Sequence, residues 1–286
     1  MASSDLIYKI LEPMVGKKFA NEVWYHYLTG EWQTPFPEEL RRPQNFANLQ
    51  SNFYARLPSE LHCYHCGIPM VGLWGSALRF MRSAPSSFSP KLCQGCEGMA
   101  RYYESVAEVE LTMVYADIRG STPLAESKGT MGFKEIVNRF YKETSKAVIK
   151  YNAIVNRLMG DQLIALFVPR FAGSDHAKVA LEAAQELLRV TGHGAGNDPW
   201  VPVGAGIHTS AVYVGAVGVA EKFTDIAVIG SAANLCAGLS SKAAAGEILI
   251  SEDSVKSGNL DVDGLESRSL ELKGVSEPVL VRVVKI

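Results

Sequence analysis

The sequence predicts an α+β fold, on three observations. From Leu111 onward, short runs of alternating or continuous apolar residues exchange with segments of helical periodicity. Those segments follow one another as β-α-β-β-α-β, the order of a split βαβ, ferredoxin-like sheet. Ahead of them, the cysteine pairs Cys63/Cys66 and Cys93/Cys96 mark a small module of another kind.

Each element has its own signal. The run LTMVYAD, from Leu111 to Asp117, reads as a strand, and TMGFKEIVNRFYKETSKAVIKY puts Phe133, Ile136, Val137, Phe140, Tyr141, Thr144 and Val148 on one helical face. AIVNRLMGDQLIALFV reads as two strands turning at Gly160-Asp161. Ser174 is placed to cap a second helix reaching Leu188, and VPVGAGIHTSAVYVGAVG reads as two further strands. A helix from Ala232 to Ala244 and closing strands near Ile248 and Val279 finish the unit. The Gly-rich run Gly204 to Gly218 lacks both a Gly-Lys-Ser/Thr ending and a following helix, so it is not a phosphate loop.

Four regions result: a helical N-terminal region at 1–58, a four-cysteine module at 59–98, a connector at 99–110 and the α+β domain at 111–286. Region 1–58 mixes helical periodicity (Leu6, Ile7, Ile10, Leu11) with aromatics at Trp24, Tyr25, Tyr27 and Trp32, and Gly98 to Val109 reads as a helical connector. A hydrophobic content of 47%, with 20% charged residues, is that of an ordinary globular chain, and a net charge of -2 gives no electrostatic pull toward nucleic acid. Asp5, Lys9 and Glu12 interrupt any signal-like apolar run, and no stretch approaches the ~20 apolar residues of a membrane span, so the expectation is a cytoplasmic protein with no membrane partner.

In a reducing compartment, Cys63-x2-Cys66 and Cys93-x2-Cys96 have the knuckle spacing of a structural zinc site, in which four protein ligands leave no open position. His62 and His65, beside the first pair, read as surface residues or residues behind the ligands, with ligation by them as the alternative. Cys236 reads as a small packing residue and His208 as a core histidine.

Asp117 ends a strand before a Gly-Ser-Thr turn and Asp161 stands at a hairpin tip, so pairing of these strands would bring two carboxylates together as a divalent-metal clamp. Either aspartate alone would be an ordinary turn residue. Taken with their surroundings, YADIRGSTPLAE and RLMGDQLIALF resemble the two metal motifs of class III adenylate and guanylate cyclases. VPVGAGIHTSAVYVGAVG resembles that family's next hairpin, and FTDIAVIGSAANLCAGLSSKAAAGEILIS resembles its transition-state segment, the likeness running from about Val109 to Ile286.

The resemblance implies a lyase that makes a 3′,5′-cyclic nucleotide and pyrophosphate from a nucleoside triphosphate. It implies Asp117, Asp161 and the backbone carbonyl of Ile118 as ligands of two Mg2+ or Mn2+ ions, Asn234 as the ribose-positioning residue and Lys273 as a triphosphate-approaching lysine. It also implies a homodimer with composite sites.

Two positions depart from the family pattern. Arg157 stands where adenylate cyclases have a base-reading Lys and guanylate cyclases a Glu, and the partner base-reading position is Ala227. A guanidinium offers donors only, which suits uracil O4 or O2 and cannot serve guanine's N1-H and amino group. This loss of the purine-reading pair resembles the pyrimidine cyclases of bacterial antiphage defence and points to UTP or CTP, an antiviral role following from the likeness alone; an Arg157 that still reads adenine N1 gives an adenylate cyclase instead. Gly238, four residues after Asn234, replaces a transition-state arginine, leaving Lys242, Arg119 or Arg157 to approach the phosphates. The rival from another class is a catalytically dead nucleotide-binding or dimerisation module.

Overall fold

The computed structural model describes residues 16–33, 35–86, 88–194, 196, 198–219 and 223–286; the periodic segment Leu6 to Leu11 lies outside them. The chain divides into two compact units, Met1–Val109 with Tyr213–Ile229, and Glu110–Val212 with Gly230–Ile286.

In the first unit, α1 (Lys17–Thr29) buries Phe19, Val23, Trp24, Tyr27 and Leu28. Phe19 and Val23 pack with Leu40, while the Trp24 indole N–H donates to the Val214 carbonyl at 2.9 Å. The N-terminal aromatics, which carry no motif, thus build a core. After it come α2 (Arg41–Tyr54), the short α3 (Gly72–Ala77) and α4 (Gln94–Tyr102). The helical connector is corrected here: α4 stops at Tyr102, Glu104 takes a left-handed φ of 49°, and from Val106 the chain is already strand.

The strands are β1 (Val106–Ile118), β2 (Ile154–Met159), β3 (Gln162–Phe167), β4 (Val203–Val219), β5 (Phe223–Ile229), β6 (Glu247–Ser251), β7 (Glu266–Leu270) and β8 (Val279–Lys285). They run in the order β2-β3-β1-β4-β6-β8-β7, with β5 on β4. The block β2-β3-β1-β4 is the expected ferredoxin-like arrangement. VPVGAGIHTSAVYVG does not break into two strands; it is one strand, β4, whose hairpin partner is β5.

Helices α5 (Ser121–Lys150) and α7 (His176–Val190) share one core with β1 and β3, α5 changing direction at Gly129 (φ 68°). Of the predicted α5 face, Phe140, Thr144 and Val148 are buried, and Ile136, Val137 and Tyr141 pack against that core. Between β3 and α7 lies one turn, α6 (Pro169–Ala172). Ser174 does not cap α7: the N-cap is Asp175, and the Ser174 hydroxyl bonds the Asp175 carboxylate at 3.3 Å. The next helix, α8, runs Ser231–Lys242. The elements α6, β5, β7 and α9 (Glu252–Ser257) go beyond the sequence expectation, although Ser251 followed by two acidic residues is a helix-start signal for α9.

Buried histidines in the second unit make its stability depend on pH. His208 is a core residue, as expected, its Nδ1 2.8 Å from the Ser251 hydroxyl. His176 Nδ1 lies 2.8 Å from the Thr112 hydroxyl. His193 Nε2 accepts the backbone N–H of Val203 at 3.0 Å, a bond that protonation would destroy. Burial pushes all three below the ordinary histidine value, with Glu110 and Asp175 opposing it at His176 and Asp253 at His208. A base whose pKa is depressed by folding stabilises the native state above its unfolded value of about 6.5, and that stability is lost as pH falls through the lower folded values. The urea midpoint should therefore drop between pH 7.5 and pH 5; a midpoint that holds steady or rises over that interval would refute the assignment.

Candidate functional site

The site is built on the pairing of β1 with β3. Asp117 lies opposite Gln162, and the Ile118 N–H donates to the Asp161 carbonyl at 3.3 Å, so the strand end and the hairpin tip are held side by side. Along β1, Val114, Ala116 and Ile118 enter the core, which turns Tyr115 and Asp117 to the other face. The tip is pinned from α5, where the Tyr141 hydroxyl donates to the Gly160 carbonyl at 2.5 Å. The sequence marks Tyr141 only as part of a helical face; nothing in its spacing signals the bond to the hairpin.

Electrostatics at Asp117 suit a cation. Burial raises its pKa, Arg119 lowers it through a hydrogen bond and charge, and the Asp161 carboxylate pushes it up again. Arg119 Nη2 is 2.5 Å from Asp117 Oδ2, while Nη1 donates to the Ser241 carbonyl at 2.8 Å. Arg119 thus ties the first carboxylate to the C-terminal end of α8. Two converging carboxylates are hard oxygen donors whose mutual repulsion a divalent ion would relieve, so these residues fit Mg2+ or Mn2+.

Asn234, Gly238 and Lys242 follow one another at four-residue intervals on α8, Asn234 and Lys242 exposed. Asn234 is seven residues from Ser241, about 10 Å along the helix axis. A Cβ at Gly238 would come 3.3 Å from the side chain of Leu272, which places the neighbouring, exposed Lys273 beside this part of α8. Cys236 is fully buried, its Sγ within 3.5 Å of the Met113 and Gly206 carbonyls, and burial raises its pKa: it is a packing residue.

Arg157 is half-buried on β2 opposite Ile164, which is itself opposite Tyr115 on β1. Burial raises the Tyr115 pKa, Cys236 adds to this, and the Arg157 cation opposes it. Ala227 lies on β5 in the first unit, opposite Gly215.

The four paired cysteines converge. Cys63 and Cys96 sulfurs are 3.9 Å apart, those of Cys66 and Cys93 3.7 Å, and all four ligand atoms lie within 4.8 Å of one another. A tetrahedral ion with bonds of about 2.3 Å to sulfur sets its ligands about 3.8 Å apart, so the cluster has the spacing to hold one. The Cys93 N–H points to Cys63 Sγ and the Cys96 N–H to Cys93 Sγ, each at 3.4 Å, as donors to thiolates do. Hydrogen bonds from its three neighbours hold the Cys63 thiol well below its usual range, while Cys66 and Cys96 are pushed up. His62 is not in this cluster; its Nε2 lies 2.9 Å from the Leu57 carbonyl.

The family model described as "Adenylate and Guanylate cyclase catalytic domain" matches residues 103–282. An adenylate cyclase of Anabaena cylindrica is 27% identical over 220 residues, 72% of this chain and 42% of that protein. The chain thus spans under half the length of the curated relatives it matches. Among solved structures, the guanylyl cyclase Cya2 is 27% identical with a TM-score of 0.55, covering 62% of this chain and 92% of its own. The adenylyl cyclase CyaB from P. aeruginosa is 27% identical with a TM-score of 0.54, covering 64% and 97%.

The seating of α8 admits no side chain at Gly206 on β4. A Cβ there would come 2.4 Å from the Ser240 nitrogen and 2.8 Å from the Cys236 carbonyl oxygen, both backbone atoms that cannot rotate away. Gly206→Ala is expected to push α8 outward, at a cost of about 1–3 kcal/mol in denaturant unfolding. An unchanged unfolding free energy in that variant would show that the contact does not set the helix position.

Proposed function

The chain belongs to the adenylate and guanylate cyclase catalytic-domain family, and from that premise we propose that it is a nucleotidyl cyclase, a phosphorus-oxygen lyase forming a 3′,5′-cyclic nucleotide and pyrophosphate. The observation that carries this reading is the retention of both carboxylates at adjacent strand ends, with Asp117 buried enough to need a counter-charge. Asp117, Asp161 and the Ile118 carbonyl would hold two divalent ions, Mg2+ or Mn2+, which when bound supply Lewis-acid stabilisation of phosphoryl oxygens.

The remaining groups position the substrate. Asn234 orients the ribose so that its 3′ oxygen faces the α-phosphorus, the new O–P bond forming as the bond to pyrophosphate breaks and the hydroxyl proton passes to solvent. Lys273 takes up triphosphate charge, and Lys242, one residue beyond Ser241, stands where a further cation can reach it. The roughly 10 Å along α8 between Asn234 and Ser241 separates the ribose-positioning group from the Arg119–Asp117 pair, which supports a homodimer whose two sites each draw on both protomers.

For the base, a donor-only Arg157 with an Ala227 that can make no side-chain hydrogen bond favours UTP or CTP. The second reading is an adenylate cyclase, favoured by the names of two relatives, with Arg157 donating to adenine N1. Incubation with Mn2+ and each of ATP, GTP, CTP and UTP, followed by mass spectrometry, is expected to give cUMP or cCMP, with turnover in Asp117→Ala reduced by about 10²-fold or more. A cAMP product selects the adenylate reading, and no cyclic product from any of the four leaves a nucleotide-binding or dimerisation module whose lost arginine at Gly238 was decisive.

For the cysteine cluster we propose structural Zn2+, since four thiolates close the coordination sphere and tie the Cys63–Cys66 turn to the start of α4. Thiols held in this way also suit a reducing, cytoplasmic setting. Elemental analysis should find one zinc per chain, lost in a Cys63→Ser/Cys93→Ser variant together with a lower melting temperature. Full thermal stability after complete removal of the metal would defeat the structural role.

A further inference from the structure

Along α2, Arg42, Phe46, Leu49, Phe53 and, just past the C-cap Ala55, Arg56 follow one another at intervals of four, three, four and three residues. That spacing keeps returning to one side of a helix and is the a/d stripe of a helix-pairing seam. Phe46, Leu49 and Phe53 are 56%, 69% and 61% exposed, and because they share one stripe they form a patch rather than scattered apolar residues. Arg42 and Arg56 are exposed as well. The backbone at Ala55 stays right-handed and the Arg56 N–H donates to the Phe53 carbonyl, so the second arginine closes the same stripe.

The opposite side of α2 is the one that packs. Ser51, nine residues after Arg42 and so half a turn round the helix, has its hydroxyl 3.5 Å from the His65 carbonyl, and a Cβ at Gly67 would come 2.6 Å from the Ser51 carbonyl oxygen. The Tyr54 hydroxyl lies 3.2 Å from Met81 Sδ. α2 thus leans on the segment that carries the first cysteine pair and turns its seam outward. None of the residues assigned to nucleotide or metal belongs to the seam, which stands independently of the cyclase reading.

Width and charge select the occupant. The apolar stripe covers only about 60° of the helix surface, narrower than the face of about 100° that covers a core. Interfacial helices that lie in lipid carry Lys or Arg along their polar side, whereas this stripe is flanked by Asn45, Gln50 and Asn52. Self-pairing of the seam is unfavourable in both directions: parallel, each arginine meets its own copy, and antiparallel, Arg42 meets Arg56. The surroundings are cationic too, since residues 41–96 carry Arg41, Arg42, Arg56, Arg79, Arg82 and Lys91 against Glu60 alone, in a chain of net charge -2.

We propose that the outer face of α2 docks an acidic amphipathic helix of another protein. Its apolar seam meets Phe46, Leu49 and Phe53, and its Asp or Glu residues, about 21 Å apart at 1.5 Å per residue, pair with Arg42 and Arg56.

The test uses the full chain and a synthetic helical peptide that copies the spacing of the seam. Leucines take the places of the three apolar residues, glutamates those of the two arginines, and alanine and glutamine fill the rest; calorimetry follows binding. The same peptide with lysines for the glutamates should bind about tenfold more weakly or worse, because like charges then meet. Phe46→Ser/Leu49→Ser/Phe53→Ser, all at exposed positions, should abolish binding and keep the melting temperature. Arg42→Glu/Arg56→Glu should reverse the preference, so that the lysine peptide binds more tightly, a result that loss of folding cannot give. No binding of the glutamate peptide, no preference between the peptides, or a preference that survives the charge reversal would overturn the proposal. So would each other occupant: a dimer that the serine variant turns to monomer in sedimentation, binding to phosphatidylglycerol vesicles that the same variant loses, or peptide binding seen only after removal of residues 1–15.

Discussion

The candidate site depends first on the register between β1 and β3. A strand whose side chains alternate between faces has one register that buries Val114, Ala116 and Ile118 against α5 and α7, and a shift of one residue would exchange the faces entirely. The apolar core on one side therefore fixes where Asp117 stands on the other. The same constraint runs along β3, where Leu163, Ala165 and Phe167 enter the core and Ile164 does not, and it carries over to β2, where Arg157 lies opposite Ile164. Asp117 and Arg157 are both held on one sheet face by packing on the reverse face.

That face is completed by α8, and its approach is set by how little the intervening groups occupy. Gly206 lets the helix backbone come to contact distance, and the small Cys236 thiol sits between the Met113 and Gly206 carbonyls. At its far end the helix is tied to Asp117 through Arg119, which places one nitrogen on the carboxylate and another on the Ser241 carbonyl. Helix carbonyls at a C-terminus carry partial negative charge, so Arg119 balances the carboxylate and the helix end together. A cation arriving at Asp117 would compete with this guanidinium for the carboxylate.

Local pattern is enough to read the β-α-β-β-α-β order up to β4, the hairpin at Gly160-Asp161 and the buried face of α5, because alternation and helical period are written residue by residue. The junctions are less legible. Val106 to Glu110 alternates with glutamates at 108 and 110 and follows a helix without a glycine or proline stop; the break is made by Glu104 in a left-handed conformation that its type does not announce. The run VPVGAGIHTSAVYVGAVG reads as two strands, yet β4 continues unbroken from Val203 to Val219, its second half pairing with β5. The cysteine spacing is legible because a metal knuckle is local, whereas the bond from Tyr141 to the hairpin joins residues far apart in sequence and leaves no periodic trace.

Gly238 is the position where sequence and structure together say most. A Cβ at 238 would come 3.3 Å from the Leu272 side chain, a contact that a larger residue could make only if Leu272 gave way by a few tenths of an ångström, so α8 sits close against Leu272 and the cluster around it. The same closeness brings the residue after Leu272, Lys273, to the flank of α8. An ammonium on a flexible stem is a poorer match to a phosphate edge than a guanidinium fork, and it retains the charge. On the proposed reading, in which Gly238 stands at a phosphate-facing position, the packing that favours a glycine there is the same packing that brings Lys273 near.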